Sequence, residues 1–322
     1  MTVLVTGGAG FLGSHLTETL LARGHLVRVL DNFSTGVRDN LARCCDRIEL
    51  IQGDITSYDT VRRACVGVDL VYHLAAVLDH PGMDAMAVHR CCATGTLHVL
   101  QAAKKADCRR VVYASTGAVY GWSRTQPLGE DNPTQPASNY ASSKLAGEVY
   151  CLHFTQNFGL STVRLRLFDV IGPRQPSNSP YGKGLRQIVA AMVSGQRPVI
   201  YGDGNQLQEF LAVEDAVQAL QLAAEIDSGS GRVYNISRGK ATTAREVVAM
   251  VNGFLGTSIK PIVVDSYHGQ QLYQVADVSR AKAELGFCPA TDLPLAVGRM
   301  IDEYRKKSRE EAGALATDGP HG

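Results

Sequence analysis

From the N-terminus to about residue 168, short runs of β-branched and aliphatic residues alternate with segments whose apolar positions recur at helical spacing. Residues 3–5, 27–30 and 70–73 read as strands, and residues 14–23 and 58–65 between them as amphipathic helices. Further strands are predicted at 110–114 and 161–167. Strands separated by helices pair in parallel, with helices over both faces of the sheet. The predicted fold class is α/β, a doubly wound (Rossmann) parallel sheet.

After Phe168 the texture changes. Gly172-Pro173, Pro176, Pro180, Gly182 and Gly184 interrupt the chain before a helical pattern at 185–194, where a smaller α/β substrate-binding unit is expected to begin. Val233 to Ile236 reads as one more sheet strand, so the two units should exchange segments. The expected boundaries are 1–168 for the first unit, rejoined by about 211–236, and 169–305 mainly for the second. Residues 306–322, rich in charge, glycine and alanine, are expected to fray or be disordered. No internal repeat is visible.

Composition narrows the function classes. A chain of 322 residues, 45% hydrophobic and 20% charged, can bury a large core. Its 32 basic against 31 acidic residues leave no footprint for a polyanion, so neither nucleic acid nor an anionic membrane is an expected partner. Met1 leads directly into Val3-Leu4-Val5 without a basic leader, and no apolar stretch approaches spanning length; a soluble, cytoplasmic protein is expected. The cysteines at 44, 45, 65, 91, 92, 108, 151 and 288 form no Cys-x-x-Cys pair and read as buried thiols. His80, His89 and His98 lack metal-ligand spacing, so no metal is predicted, and Trp122 reads as a lid or packing residue.

Gly7, Gly10 and Gly13 lie directly after a strand and before a helical pattern. A backbone without Cβ there can turn tightly and approach a pyrophosphate, whose charge meets free N–H groups at the helix N-terminus. Asp31 ends the second strand at the distance where a carboxylate binds the adenine ribose hydroxyls and repels a 2′-phosphate. With Asn32 rather than Arg after it, the cofactor is predicted to be NAD; the alternative is an Asp that caps the strand end. Asp54 and Ile55 follow Gly53 where a third strand would end, facing the adenine, although Asp54 equally suits a helix N-cap.

Tyr140 and Lys144 stand four apart, on one helical face one turn from each other. A tyrosine of ordinary pKa about 10 is a poor base near neutrality, but a neighbouring ammonium favours its phenolate. Upstream, Ala114-Ser115-Thr116-Gly117-Ala118-Val119-Tyr120-Gly121 follows a predicted strand, and Thr116 can supply a second hydroxyl. Alone, Tyr-x-x-x-Lys is a common surface pair. Following the glycine loop, Asp31 and the Ser-Thr segment in this order, it points to catalysis.

With these motifs in place, residues 1–305 resemble the extended short-chain dehydrogenase/reductases, and within them the nucleotide-sugar 4-epimerase, decarboxylase and dehydratase group. The resemblance rests also on His73-Leu74-Ala75-Ala76, Val119-Tyr120-Gly121, Phe168 to Gln175, Tyr201-Gly202-Asp203-Gly204 and Val213-Glu214-Asp215. It implies Thr116, Tyr140 and Lys144 as catalytic residues. It also implies NAD held by Gly7, Gly10, Phe11, Leu12, Gly13, Asp31, Asn32, Asp54, Ile55, Leu74, Ala75, Ala76, Ser115, Tyr140 and Lys144. In the family the tyrosine removes a hydroxyl proton while C4 of the sugar gives hydride to NAD, and the lysine holds the nicotinamide ribose. Members that eliminate water or carbon dioxide carry an acid after the catalytic Ser/Thr, where Gly117 and Ala118 are inert here. The resemblance therefore implies a nucleotide-sugar 4-epimerase, with an NAD(P)-dependent reductase or dehydrogenase as the alternative, and a homodimer built on helices at 83–106 and 139–157.

The departures cluster on the substrate side. Gln208 stands where the family has a diphosphate-clamping arginine, and a second such arginine is replaced near Tyr267-His268-Gly269-Gln270. Each exchange removes charge-assisted hydrogen bonds of about 1.5–3 kcal/mol. Cys92 and Asp169 replace family asparagines. Asp169, Arg174, Lys183 and Gln208 are the candidate substrate residues, with Arg186 a further basic candidate.

Overall fold

The structure, a computed structural model, describes residues 1–79, 82–123, 125–176, 184–265 and 275–317, without the side chains of 308 and 310–317. The chain enters as β1 (Thr2–Thr6), α1 (Phe11–Ala22), β2 (Leu26–Asp31), β3 (Ile48–Gln52), α2 (Tyr58–Ala64) and β4 (Leu70–His73). α3 (Ala85–His89) runs through a π turn at Arg90–Thr94 into α4 (Gly95–Lys105), followed by β5 (Arg110–Thr116), α5 (Asn139–Phe158) and β6 (Ser161–Leu167). Then come β7 (Val170–Ile171), α6 (Leu185–Val193), β8 (Val199–Tyr201), β9 (Leu207–Glu209), β10 (Leu211–Ala212) and α7 (Val213–Glu225). β11 (Arg232–Ile236), β12 (Ala241–Thr243), α8 (Ala244–Leu255), β13 (Ile262–Val264), α9 (Ser279–Leu285) and α10 (Leu293–Thr317) complete it.

Seven strands form one sheet in the order β11-β6-β5-β4-β1-β2-β3, every pairing parallel. This is the doubly wound sheet the alternation predicts. Within β1, Val3 and Val5 face one apolar layer with α1 and α7, while Leu4 faces the other with α2, α4 and α5. A run of buried positions rather than a one-sided stripe follows from having helices on both faces. The strand order reverses beside β1, between β1 and β4, and it is at the carboxyl ends of the strands beside such a reversal that doubly wound sheets take their ligands.

A separate apolar cluster joins α6, α8 and α10 through Leu185, Val189, Val247, Val251, Val297 and Met300. Three two-stranded ladders, β10 with β7, β12 with β9 and β13 with β8, rim it. Residues 306–317, expected to fray, instead continue α10 to Thr317. The helix is nucleated by its buried start at Leu293, Ala296, Val297 and Ile301, after which Lys, Arg, Glu and Ala extend it readily. Residues 318–322 lie outside the described residues.

Candidate active site

The first turn after β1 is shaped for a close ligand. Gly7 has φ 72°, and a Cβ on it would come within 2.8 Å of the Ala75 backbone. A Cβ on Gly13 would overlap the Gly7 carbonyl oxygen and lie 2.8 Å from the Gly8 Cα. α1 starts at Phe11 with Gly10 as its N-cap, no side-chain cap and no acid in its first turn. The N–H groups of Phe11, Leu12 and Gly13 are thus left by the helix for an anion. A pyrophosphate fits this cradle.

Asp31 ends β2 almost buried, its carboxylate accepting from Ala9 N (2.9 Å) and Phe33 N (2.8 Å). It ties the glycine turn to the turn after β2 while keeping lone pairs for ribose hydroxyls. Asn32 donates from Nδ2 to Asp54 (2.7 Å), and Thr56 N donates to the same carboxylate (2.8 Å). Burial alone would raise the Asp54 pKa, but these hydrogen bonds outweigh it and hold the carboxyl below its usual range. Asp54 is not the cap of α2; Ser57 is, accepting from Thr60 N. Ile55 is buried against Gly95 on α4, and its carbonyl accepts from or faces the His98 ring at 3.1 Å.

The floor beneath Leu74, Ala75 and Ala76 is a fully satisfied polar chain. Ala75 N donates to Thr6 Oγ1 (3.3 Å), which meets His73 Nδ1 (2.7 Å), and His73 Nε2 meets Thr96 Oγ1 (2.9 Å). The Thr96 proton goes to Cys92 O (2.7 Å), so Nε2 carries the imidazole proton and Nδ1 accepts from Thr6. Burial pushes the His73 pKa down to about 3, with the Lys144 charge adding to it, and the ring is neutral.

α5 presents the catalytic candidates. Ser138 caps it through Ala141 N, and Asp79, on the loop after β4, accepts from Tyr140 N (3.3 Å). One turn on, Lys144 is buried with its ammonium 4.1 Å from the centre of the Tyr113 ring, whose hydroxyl donates to the Lys144 carbonyl (3.1 Å). Burial lowers the Lys144 pKa. α5 can lie this close to β5 because residue 147 is glycine; a Cβ there would reach within 2.7 Å of Tyr113 Cζ. A further turn on, Glu148 pairs with Arg166 of β6 through contacts of 2.8, 3.0 and 3.2 Å, almost wholly buried.

At the end of β5, successive residues point to opposite faces. Ser115 is turned inward, its hydroxyl donating to Glu148 (2.5 Å), so any part it takes in cofactor binding falls to its backbone. Thr116 accepts from Ala118 N (3.1 Å), which leaves its own hydroxyl proton able to donate elsewhere. Asp169 lies exposed beyond the end of β6. Arg174 is committed elsewhere: its guanidinium pairs with Glu18 (2.7 Å) and bonds Ser14 (3.2 Å) on α1, while its N–H points at Glu303 (2.9 Å). Gln208, on β9, lies with its amide oxygen 3.7 Å from where a Cβ on Gly184 would stand. Arg186 is buried on α6. Lys183 and Tyr267 to Gln270 fall outside the described residues. Cys44, Cys65, Cys92, Cys108 and Cys151 are buried free thiols, while Cys45 and Cys288 are exposed; among the described residues no cluster suits a metal ion. Trp122 is half exposed.

Asp79, Tyr113 and the Glu148–Arg166 pair are the contributors sequence reasoning did not single out. Only Glu148 left a signal, being four residues beyond Lys144 on the same helical face.

A glycine cradle at a helix N-terminus, an acid at the end of β2 and a Tyr-Lys pair beside them define a dinucleotide-dependent enzyme working at the switch point of its sheet. The chain belongs to the NAD dependent epimerase/dehydratase family, whose model matches residues 3–237. It is 34% identical to a UDP-glucose 4-epimerase of Mycolicibacterium smegmatis, over 96% of this chain and 100% of that protein. It is also 33% identical to a dTDP-glucose 4,6-dehydratase of Streptomyces griseus, over 94% of each. Among solved structures it is similar to the UDP-glucose 4-epimerase of Thermotoga maritima with UDP-glucose, with TM-score 0.89, 29% identity, and coverage of 96% of this chain and 100% of that one. NAD is the cofactor of this family. No helix among the described residues is long and apolar enough to cross a membrane.

Proposed function

We propose that the protein is a nucleotide-sugar 4-epimerase. What supports this reading is the composition of the proton-handling set: Tyr140 stands on α5 one turn before buried Lys144, Thr116 ends β5, and Gly117 and Ala118 follow Thr116 where an eliminating enzyme needs an acid. The chemistry NAD supplies when bound is reversible acceptance of a hydride. Thr116 orients the C4 hydroxyl by donating to it. Tyr140 takes that hydroxyl's proton, favoured by the Lys144 charge one turn away, and returns it after the keto sugar has turned over in the cleft. Lys144, held over Tyr113, would also hold the nicotinamide ribose.

A reductase that consumes NAD(P)H would use the same groups, so the test is cofactor economy. Purified protein with its own NAD, given UDP-glucose and no added cofactor, is expected to form the C4 epimer. Tyr140→Phe should lose about 10²-fold or more of that rate while keeping NAD. Turnover that requires added NAD(P)H, or substantial activity in Tyr140→Phe, would refute the reading. A homodimer fits the exposed Met86 on α3 and Val149 and Phe158 on α5, with doubled mass in solution as its check, and a cytoplasmic setting fits the free thiols.

A further inference from the structure

Thr116, the hydroxyl given to the sugar above, is bracketed along the chain by two side chains that end on one buried guanidinium. β5 and β6 run in register so that Ser115 pairs with Arg166, and residues paired in this way share a face of the sheet. α5 covers that face. The Ser115 hydroxyl donates to Glu148 (2.5 Å), and the same carboxylate accepts from Arg166 Nε (3.0 Å) and Nη2 (2.8 Å). Arg166 Nη1 donates to Tyr120 Oη (2.8 Å) and to Glu130 O (3.1 Å). Tyr120 passes its own proton to Asn235 Oδ1 (2.7 Å) on β11. Ser115, Tyr120, Glu148, Arg166 and Asn235 are all buried.

Between the two ties the chain has little freedom. Thr116 caps the single 3₁₀ turn Gly117–Tyr120 by accepting from Ala118 N (3.1 Å). The Phe168 ring fills the space over Gly117, 3.0 Å from where a Cβ would be. Gly121, at φ 60°, closes the turn where a Cβ would overlap the Gln135 carbonyl oxygen. A guanidinium is planar, with its donors in fixed directions, so it sets Glu148 and Tyr120 at a fixed angle to each other. A shift at either tie is therefore delivered to Thr116.

We propose that the side chains of Ser115 and Tyr120 are positioning groups, which hold the Thr116 hydroxyl in place for the substrate hydroxyl through their shared attachment to Arg166. This rests on the role given to Thr116 in the epimerase reading above. Neither side chain needs to touch sugar or NAD. Misplacing a reacting group by about 1 Å costs about 10²-fold in rate, and loss of one of two ties should cost part of that, about tenfold.

Ser115→Ala and Tyr120→Phe each remove one hydroxyl and keep the shape of the side chain. In the NAD-loaded protein given UDP-glucose, each is expected to lower kcat and kcat/KM by the same factor, about tenfold, with NAD retained on dialysis. Epimer formation and the absorbance of reduced bound cofactor are both followed. Thr116→Val removes the hydroxyl being positioned, and in that background either substitution should change kcat by less than about twofold, because nothing is left to misplace. A side chain that served only the fold, or that moved Tyr140 and Lys144 as well, would lower the rate of Thr116→Val further. The two variants test the clamp from opposite ends, so either one decides it. A native rate in Ser115→Ala or Tyr120→Phe, or a loss that persists in the Thr116→Val background, overturns the proposal. An undiminished rate in Thr116→Val overturns it too and leaves the epimerase reading standing. Reduction of bound NAD with the expected ratios but no epimer supports the clamp and refutes the epimerase reading. A native protein that neither reduces NAD nor forms epimer refutes both.

Discussion

Removing Glu148 should do more damage than removing both members of its pair. In Glu148→Ala the Arg166 guanidinium, 7% exposed, loses its three contacts with the carboxylate and keeps only Tyr120 Oη (2.8 Å) and Glu130 O (3.1 Å). An uncompensated buried charge of this kind destabilises by about 3–5 kcal/mol. In a chain of this size that lowers the melting temperature by roughly 4–7 °C. Glu148→Met with Arg166→Leu removes both charges and fills the space, so its loss should fall below that of Glu148→Ala and well below the sum of the single losses. Urea unfolding at one fixed NAD concentration, corrected for each variant's own NAD affinity, reads the cycle. If each single variant loses less than about 1 kcal/mol, or the losses simply add, the pair behaves as an exposed one and is not what fixes α5 on β5 and β6.

Gly13→Ala must push the Gly7 carbonyl aside and open the cradle; two lost phosphate contacts correspond to about 10²-fold or more in NAD affinity, read by cofactor retention on dialysis, and unchanged retention would disprove the cradle. His73, neutral in the fold with its pKa lowered to about 3, gains a proton on unfolding once the pH is below its ordinary value near 6.5. Its contribution to stability is therefore complete above about 6.5 and falls steadily as the pH drops towards 3, and His73→Gln should flatten the slope of unfolding free energy against pH in that window by up to one proton. An unchanged slope would mean that His73 is charged in the fold.

The sheet and the glycine turn were legible because they are written in local periods. Alternating strand and helix patterns leave one arrangement, and three glycines spaced around a turn report a backbone that a Cβ would obstruct. What sequence hid was direction and partnership. Ser115 and Thr116 look alike as adjacent hydroxyls, yet strand geometry sends one to Glu148 and leaves the other on the opposite face, where it accepts from Ala118 N. Arg174 looked like a phosphate ligand and is held by Glu18, far away along the chain. Asp54 offered two readings, an adenine contact and a helix cap; the structure gives the cap of α2 to Ser57 and closes the Asp54 carboxylate onto Thr56 N and Asn32. The tail from residue 306 was judged by its composition alone, whereas its helix is inherited from the buried turns before it.

The position of β11 at the margin of the main sheet bears on how the protein is made. β6 is complete by Leu167, but one edge stays unpaired until Arg232 to Ile236 emerge and dock beside it. An open strand edge invites other strands to pair with it. The half that holds the cofactor therefore cannot finish during synthesis before most of the other half exists, and a nascent chain stalled between these segments exposes the edge of β6 that β11 later covers.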